Sequence, residues 1–188
     1  KDFNITLVEN RKDELYFDEN DIVIVGVPTY AGRFPKLLQP YTEKIKGNNS
    51  LAVFVATYGN RDYEDSLLEL KNIFEDNGFK TLAASTFVTE HSSTSKLATK
   101  RPNAKDLSIA YDFGKKIKVK LDNLNDLNQL ENIEVPGNFP YVVKNIAMPP
   151  MAPETNDTCV NCGICAKHCP TSAIDFNNYK NIDVNKCI

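Results

Sequence analysis

The side chains that could do chemistry stand close together near the C-terminal end. All five cysteines of the 188-residue chain lie after position 158, and four of them, Cys159, Cys162, Cys165 and Cys169, are followed at once by Pro170. Two-residue gaps let three thiolates curl around three corners of one iron–sulfur cube, and the longer last step with its proline belongs to the same ligand pattern. Gly163 lets the backbone come close to cluster sulfides, where amide N–H groups can donate to them. Pro170 turns the chain away after the last thiol and removes a competing donor. Zinc is the competing reading. Zinc sites usually pair two Cys-x-x-Cys halves across a long loop instead of stepping three thiols evenly. The spacing and the proline both point to iron and sulfide.

The run is that of bacterial ferredoxins, and in those with two clusters the fourth cysteine ligates the other cluster. Cys169 is then expected to turn away from the cube held by its three neighbours. One thiol follows, Cys187, in a tail Val184-Asn185-Lys186-Cys187-Ile188 that reads like the first step of a second run. Neither of two cubes has four ligands within these residues, so the expectation is a piece of a longer protein that carries two [4Fe-4S] clusters. The alternative is a single cluster on Cys159, Cys162, Cys165 and Cys187 with Cys169 idle. It is the weaker one, because no proline follows Cys187.

Length allows one good core and a small appendage. Hydrophobic content of 41% and charged content of 25% are ordinary for a soluble globular protein. A net charge of −3 without a clustered basic face argues against nucleic acid. The longest apolar runs, 22–27 and 51–56, are too short to span a bilayer. No secretory signal is recognisable. Thiols in a metal pattern rather than a disulfide pattern suit a reducing cytoplasm. The chain enters at an apolar run behind Lys1, which adds to the expectation of a missing end.

The elements that must position this chemistry alternate. Residues 5–8 read as a short strand ahead of a charged stretch, 9–19. Residues 21–26 are almost uniformly apolar, as a strand covered on both faces should be. A turn-rich loop, 27–33, leads to a helix entered at Pro35, with Leu37, Leu38, Tyr41 and Ile45 on one face. Residues 47–50 break the pattern. A second buried strand over 51–57 precedes a loop, then a helix through Tyr63, Leu67, Leu70 and Phe74 that Asn77-Gly78 stops. A strand over 80–88, a polar loop over 90–99 and a long helix over 104–124 through Leu107, Tyr111, Ile117 and Leu121 complete the series. Strand and helix in alternation predict an α/β fold with a parallel sheet and helices on both faces. Prolines 136, 140, 149, 150 and 153 mark 131–157 as a semi-rigid connector, with Met148 and Met151 as packing residues. Behind the cysteine run, 173–176 reads as a hairpin arm with Asn177-Asn178 as its turn.

Ligands of open parallel sheets bind at the carboxyl ends of the strands. Two such ends carry tyrosines in loops of small residues: Thr29-Tyr30-Ala31-Gly32 and Tyr58-Gly59-Asn60, the latter running on to Tyr63. Aromatic walls and glycine-loop donors suit a flat, amphipathic isoalloxazine ring. Tyrosines that merely close the wet rim of the sheet are the equal alternative.

This part resembles a flavodoxin. Pro28-Thr29-Tyr30-Ala31-Gly32 is similar to the loop after that family's third strand, and Thr57 to Glu64, running on to Asn77-Gly78-Phe79, to the loop and helix after its fourth. The resemblance implies a flavodoxin-like domain over 1–130, the connector over 131–157, and a ferredoxin-like iron–sulfur domain over 158–188. It further implies that Tyr30 and Tyr63 or Tyr58 flank FMN while Gly32, Gly59 and Asn60 meet its polar edge. The family's first strand, phosphate loop and first helix would precede Lys1, so FMN affinity is expected of the complete protein. The whole is similar to iron–sulfur flavoprotein fusions. That likeness implies electron transfer between FMN and [4Fe-4S] clusters, with a redox partner protein or a small-molecule acceptor. A flavin-dependent reductase using the clusters as its wire is the alternative. A binding module with vestigial sites is the third. His91 beside Glu90 reads as a locally bonded loop histidine before it reads as a proton donor. Lys167 and His168 read as a solvated face. No Ser-His-Asp set argues for hydrolysis.

Overall fold

The apolar run that opens at Leu51 becomes the strand on which the larger part of the protein is built. In the computed structural model, which describes residues 2–5, 8–144 and 152–187, the chain packs as two units. One is Glu14–Val142; the other joins Lys1–Asp13 to Val143–Ile188. No helix among the described residues is long and apolar enough to cross a membrane.

In the larger unit β1 (Leu15–Phe17), β2 (Ile22–Pro28), β3 (Ile45–Gly47), β4 (Leu51–Tyr58) and β5 (Lys80–Val88) are all paired in parallel. β4 lies between β2 and β5, with Ile22 opposite Leu51 and Leu51 opposite Lys80. A bulge interrupts the second pairing, where Ala52 faces Thr81 but Val53 faces Ala83, leaving Leu82 as the extra residue. β1 and β3 form a separate short parallel pair. The mixed α/β class and the parallel sheet agree with the alternation of apolar runs.

Successive side chains of a strand point to opposite faces. On one face of β4, Phe54 packs on Phe74 of α2 (Ser66–Asp76), ring centroids 5.6 Å apart. On the other, Leu51, Val53 and the bulged Leu82 meet Phe113, Ile117 and Leu121 of α3 (Ala104–Asp122). The two helices therefore cover opposite faces of the central strand. α2 stops where the sequence says it should: Asn77 caps it, and Gly78 takes φ +92° against the carbonyl of Gly47, where a Cβ would sit 2.1 Å from oxygen. α3 starts on a capping box. Asn103 accepts from the N–H groups of Lys105 and Asp106, and the Asp106 carboxylate accepts from the N–H of Asn103 and from Arg101.

Several expectations are corrected. The strand over 5–8 falls partly outside the described residues, and Val8 opens a 3-10 turn, Val8–Arg11. β2 is not covered on both faces: Ile22 is 49% and Ile24 69% exposed while Val25 and Val27 are buried. It pairs with β4 alone among the described residues. The helix from Pro35 is only a 3-10 turn, Lys36–Leu38, and one α turn, α1 (Gln39–Thr42), before Ile45 enters β3. Two prolines within six residues leave too few backbone donors for more. Leu107 and Tyr111 are 59% and 67% exposed; the buried stripe of α3 runs through Phe113 instead. Residues 113, 117 and 121 keep one helical face, whereas 107 and 111 lie off it.

The stretch after α3 stays on this unit as far as Val142. Leu127 and Leu130 join the α3 cluster. Leu127, Asn128 and residues 130–133 then line a cleft of about 380 Å³ with Glu75, Phe79, Lys80 and Thr81. Gly137 passes so close to Leu68 that a Cβ would lie 2.8 Å from it. The buried Asp65 carboxylate accepts from the N–H of Asn138 at 2.8 Å, the Asn138 side-chain amide at 2.9 Å and the N–H of Val142 at 2.7 Å. The Tyr141 hydroxyl accepts from the Asn72 side-chain amide, and the Arg33 guanidinium lies 4.6 Å from its ring centre.

The smaller unit is held by fewer contacts. An antiparallel bridge joins Ile174 to Ile182, as the hairpin reading expects, and Ala166 and Ala173 are buried apolar residues among those described. The Thr155 hydroxyl donates to the carbonyl of Tyr179, and Lys180 pairs with Asp157. Met148, Met151 and prolines 149 and 150 lie outside the described residues.

Two outcomes follow for the larger unit. Phe74→Ala, at a side chain 1% exposed between Phe54 and Phe79, is expected to cost about 3–5 kcal/mol in urea unfolding. Burial would raise the Asp65 carboxyl, but hydrogen bonds from Asn138 and Val142 and the charge of Arg33 outweigh it and lower the pKa. A group with a lowered folded pKa stabilises above its unfolded value and loses that contribution as pH falls through the folded one. The urea midpoint is thus expected to hold at neutral pH and to fall below about pH 4, and Asp65→Asn is expected to flatten that fall.

Candidate metal centre and sheet-edge loops

The cysteine run is shaped by two backbone positions that most side chains avoid. Asn161 takes φ 55° and Gly163 φ 75°, bending the chain between Cys159 and α4 (Ile164–His168), whose N-cap is Gly163. A Cβ on Gly163 would lie 2.9 Å from the Tyr179 hydroxyl, so the glycine is needed for a close approach as well as for its conformation. Upstream, the Asn156 side chain accepts from the N–H and hydroxyl of Thr158, and the N–H of Cys159 donates to the Asn156 carbonyl. Cys159 starts the run, Cys165 sits on α4 and Cys169 caps it. Lys167 and His168 occupy its last turn, where positive charge suits the carbonyl end.

The five cysteines are free thiols; Cys162 and Cys165 are exposed, and Cys159, Cys169 and Cys187 are half-buried. Cys169 differs from the rest in its surroundings. Its sulfur accepts from the N–H of Ala173 at 3.2 Å and lies 3.6 Å from the Thr171 hydroxyl. Partial burial would raise its thiol pKa, but the Thr171 N–H and hydroxyl and the N–H groups of Ala173 and Ile174 outweigh burial and lower it. A sulfur ringed by amide donors is the environment that favours thiolate over thiol. The Cys187 N–H closes a turn on the Asp183 carbonyl. Among the described residues, no three His, Cys, Asp or Glu side chains are gathered closely enough to hold a metal ion. The donor set nonetheless fits an iron–sulfur cluster in kind: soft sulfur ligands on a tight loop and one helical turn, with backbone N–H groups beside sulfur. Sequence reading missed the part played by Thr171 and Tyr179. A threonine two residues behind a Cys-Pro is a local signal for the first; nothing in the spacing signals the second.

In the larger unit the parallel pairing brings the carboxyl ends of β2, β4 and β5 to one edge. Tyr30 and Arg33 exchange backbone hydrogen bonds of 3.0 and 2.9 Å across a two-residue turn, with Ala31 at φ 51° and Gly32 at φ 83°. Gly32 makes room for Glu64, whose carboxylate oxygen would lie 2.3 Å from a Cβ there. Arg33 carries the turn onto α2 through a two-pronged ion pair with Glu69, both contacts 2.7 Å, and Glu69 also accepts from the N–H of Phe34. After β4, the Tyr58 and Tyr63 rings stack edge to face, 5.4 Å apart. Gly59 admits the His91 ring, which would lie 2.6 Å from a Cβ at that position, and His91 Nδ1 accepts from the N–H of Ser93. Tyr30, in contrast, is 46% exposed. The Thr29 hydroxyl oxygen is buried with no hydrogen-bond partner among the described residues. Ala31, Asn60, Glu64, Ala98 and Lys100, all in loops at this edge, have positive φ without being glycine. Such strain concentrates at ligand sites.

Residues 155–175 match the Fer4 family model, described as a 4Fe-4S binding domain. No curated protein matches the chain. The chain therefore carries an iron–sulfur, ferredoxin-like part of the kind that serves electron transfer, and the match spans Cys159, Cys162, Cys165 and Cys169.

Gly163→Ala tests the bend of the run. A side chain at this φ costs roughly 1–2 kcal/mol before the clash with Tyr179 is counted. Iron bound per chain after anaerobic reconstitution is expected to drop in Gly163→Ala, while Ala166→Gly, in the same short helix, retains more of it.

Proposed function

We propose that this protein transfers electrons between FMN held by a flavodoxin-like larger unit and [4Fe-4S] clusters held by the cysteine segment. The observation that carries the reading is the four-thiol run within the residues that match a 4Fe-4S binding domain. When bound, FMN takes up two electrons and the clusters pass them singly, so that the pair converts between the two regimes.

The chain's own residues divide the work. Cys159, Cys162 and Cys165 hold one cluster, and Cys169 and Cys187 contribute to the other, in a division of the chain at 1–130, 131–157 and 158–188. Gly163 brings the backbone near sulfur. Thr171, Ala173 and Ile174 direct donors at the Cys169 sulfur, and donors of this kind stabilise added negative charge on a sulfur ligand. At the sheet edge, the unpartnered Thr29 hydroxyl and the open Tyr30 ring favour a flat ligand with a polar rim. The Ala31-Gly32 turn and Asn60 present backbone N–H groups, Gly59 seats His91, and the Tyr58–Tyr63 pair walls the far loop. A redox partner protein or a small-molecule acceptor would take the electrons onward, in a reducing, cytoplasmic setting.

Anaerobic isolation of the full-length protein, with analysis of iron, sulfide and flavin, tests the reading. Iron and sulfide in equal amounts together with FMN are expected, and Cys162→Ser is expected to lose iron while keeping FMN. Zinc at the thiols refutes the cluster half, and a protein that never carries flavin refutes the other.

A further inference from the structure

The sulfur of Cys169 has a neighbour that the other thiols lack. It lies 3.6 Å from the Thr171 hydroxyl, beside the N–H of Ala173 that donates to it at 3.2 Å. Among the described residues, Cys162, Cys165 and Cys187 make no side-chain hydrogen bond, and Cys159 meets the side-chain oxygen of Asn161 at 3.7 Å. Iron is held by thiolate, which carries no proton, so toward a ligating Cys169 the Thr171 hydroxyl is the donor. That hydroxyl has no other hydrogen-bond partner among the described residues.

The turn that aims it is fixed from several sides. Pro170 has its φ locked by the ring. The N–H of Ser172 donates to the Cys169 carbonyl at 3.3 Å, and Ser172 itself takes φ 54°. Ala173, 4% exposed, accepts at its carbonyl from the N–H of Asp183 at 2.9 Å, next to the Ile174–Ile182 bridge. Threonine is β-branched and stiff at χ1, so a fixed backbone also fixes its oxygen.

We propose that Thr171 is a positioning residue for electron transfer: acting through the Cys169 sulfur, its hydroxyl raises the reduction potential of the cluster that Cys169 ligates. The inference rests on the two-cluster reading above. An added electron puts negative charge on the sulfur ligands, and hydrogen bonds to those sulfurs set the potential. A donor held against one of them stabilises the reduced form over the oxidised form. Cys169 and Thr171 are both half-buried, where a hydrogen bond counts for more than it does in water. The effect falls on one cluster, because no hydroxyl is aimed at Cys159, Cys162 or Cys165 among the described residues. A difference in potential between two clusters decides on which of them an electron rests.

Three variants of the full-length protein, isolated anaerobically with its clusters, test it. Thr171→Val removes the hydroxyl at nearly constant shape, Thr171→Ala removes it together with the methyl, and Thr171→Ser keeps it. Reduced viologen serves as a one-electron donor. Each viologen radical gives one electron to one cluster, with no bond made or broken, and electron paramagnetic resonance follows the stepwise reduction. In the Val and Ala variants one of the two couples is expected to shift roughly tenfold toward the oxidised form, about 59 mV lower for a one-electron couple. The other couple and the iron content are expected to match the parent, and Thr171→Ser is expected to keep most of the parent potential. Couples that both stay in place, or that move together, overturn the proposal, and so does a Ser variant that shifts as far as the Val variant. Loss of iron from both the Val and the Ala variant overturns it as well, since the threonine then serves to hold the turn. A parent protein with iron for a single cluster, or with zinc at its thiols, overturns the two-cluster reading on which the inference rests.

Discussion

β4 is hydrogen-bonded on both edges and packed on both faces, and the placement of every candidate group in the larger unit depends on that. Because β2 and β5 both run parallel to it, their loops can only emerge together at one edge. The edge is then stiffened from below. Arg33 and Glu69 tie the loop after β2 to α2, and Asp65 ties α2 to Asn138 and Val142 and to Gly32. Loops of small residues become a defined surface only because these buried or half-buried charges are matched. An unpaired Asp65 in that position would cost more than any single apolar contact around it contributes.

The cysteine unit is organised on a different principle. Among its described residues it buries two alanines and little else of apolar character, and these residues are held by turns, an antiparallel bridge and side chains that bond to backbone. Small segments of this kind generally draw stability from a bound metal or cluster, since the core they can bury is too small. The amide donors around Cys169 belong with that economy, as the backbone that shapes the turn also sets the charge the sulfur can bear.

Glycines in the sheet-edge loops serve two ends that spacing alone does not separate. Gly32 and Gly59 look like positions where backbone would meet a ligand, yet the room they leave is used by Glu64 and His91. The residues of these loops open to solvent are Tyr30, Ala31 and Asn60, while the Thr29 hydroxyl is buried without a partner among the described residues. His91, read as a locally bonded histidine, is bonded to the N–H of Ser93.

By itself the sequence determined the parallel α/β class, the bounds of β5, the stop of α2 at Asn77-Gly78 and the thiol run, because these rest on local chemistry: apolar runs, left-handed glycine and ligand spacing. It did not determine which face is buried where two stripes compete. Leu107 and Tyr111 offer a second stripe with apolar surface beside that of Phe113 and Ile117, and the docking of α3 on Val53 and Leu82 chooses between them. Nor did it determine that Ile22 and Ile24 stand open, since exposure depends on what lies beside β2. Asp65 is the sharpest case. In the chain it is one more acid ahead of a helix; its partners are more than seventy residues away, and only tertiary structure brings them within hydrogen-bond distance.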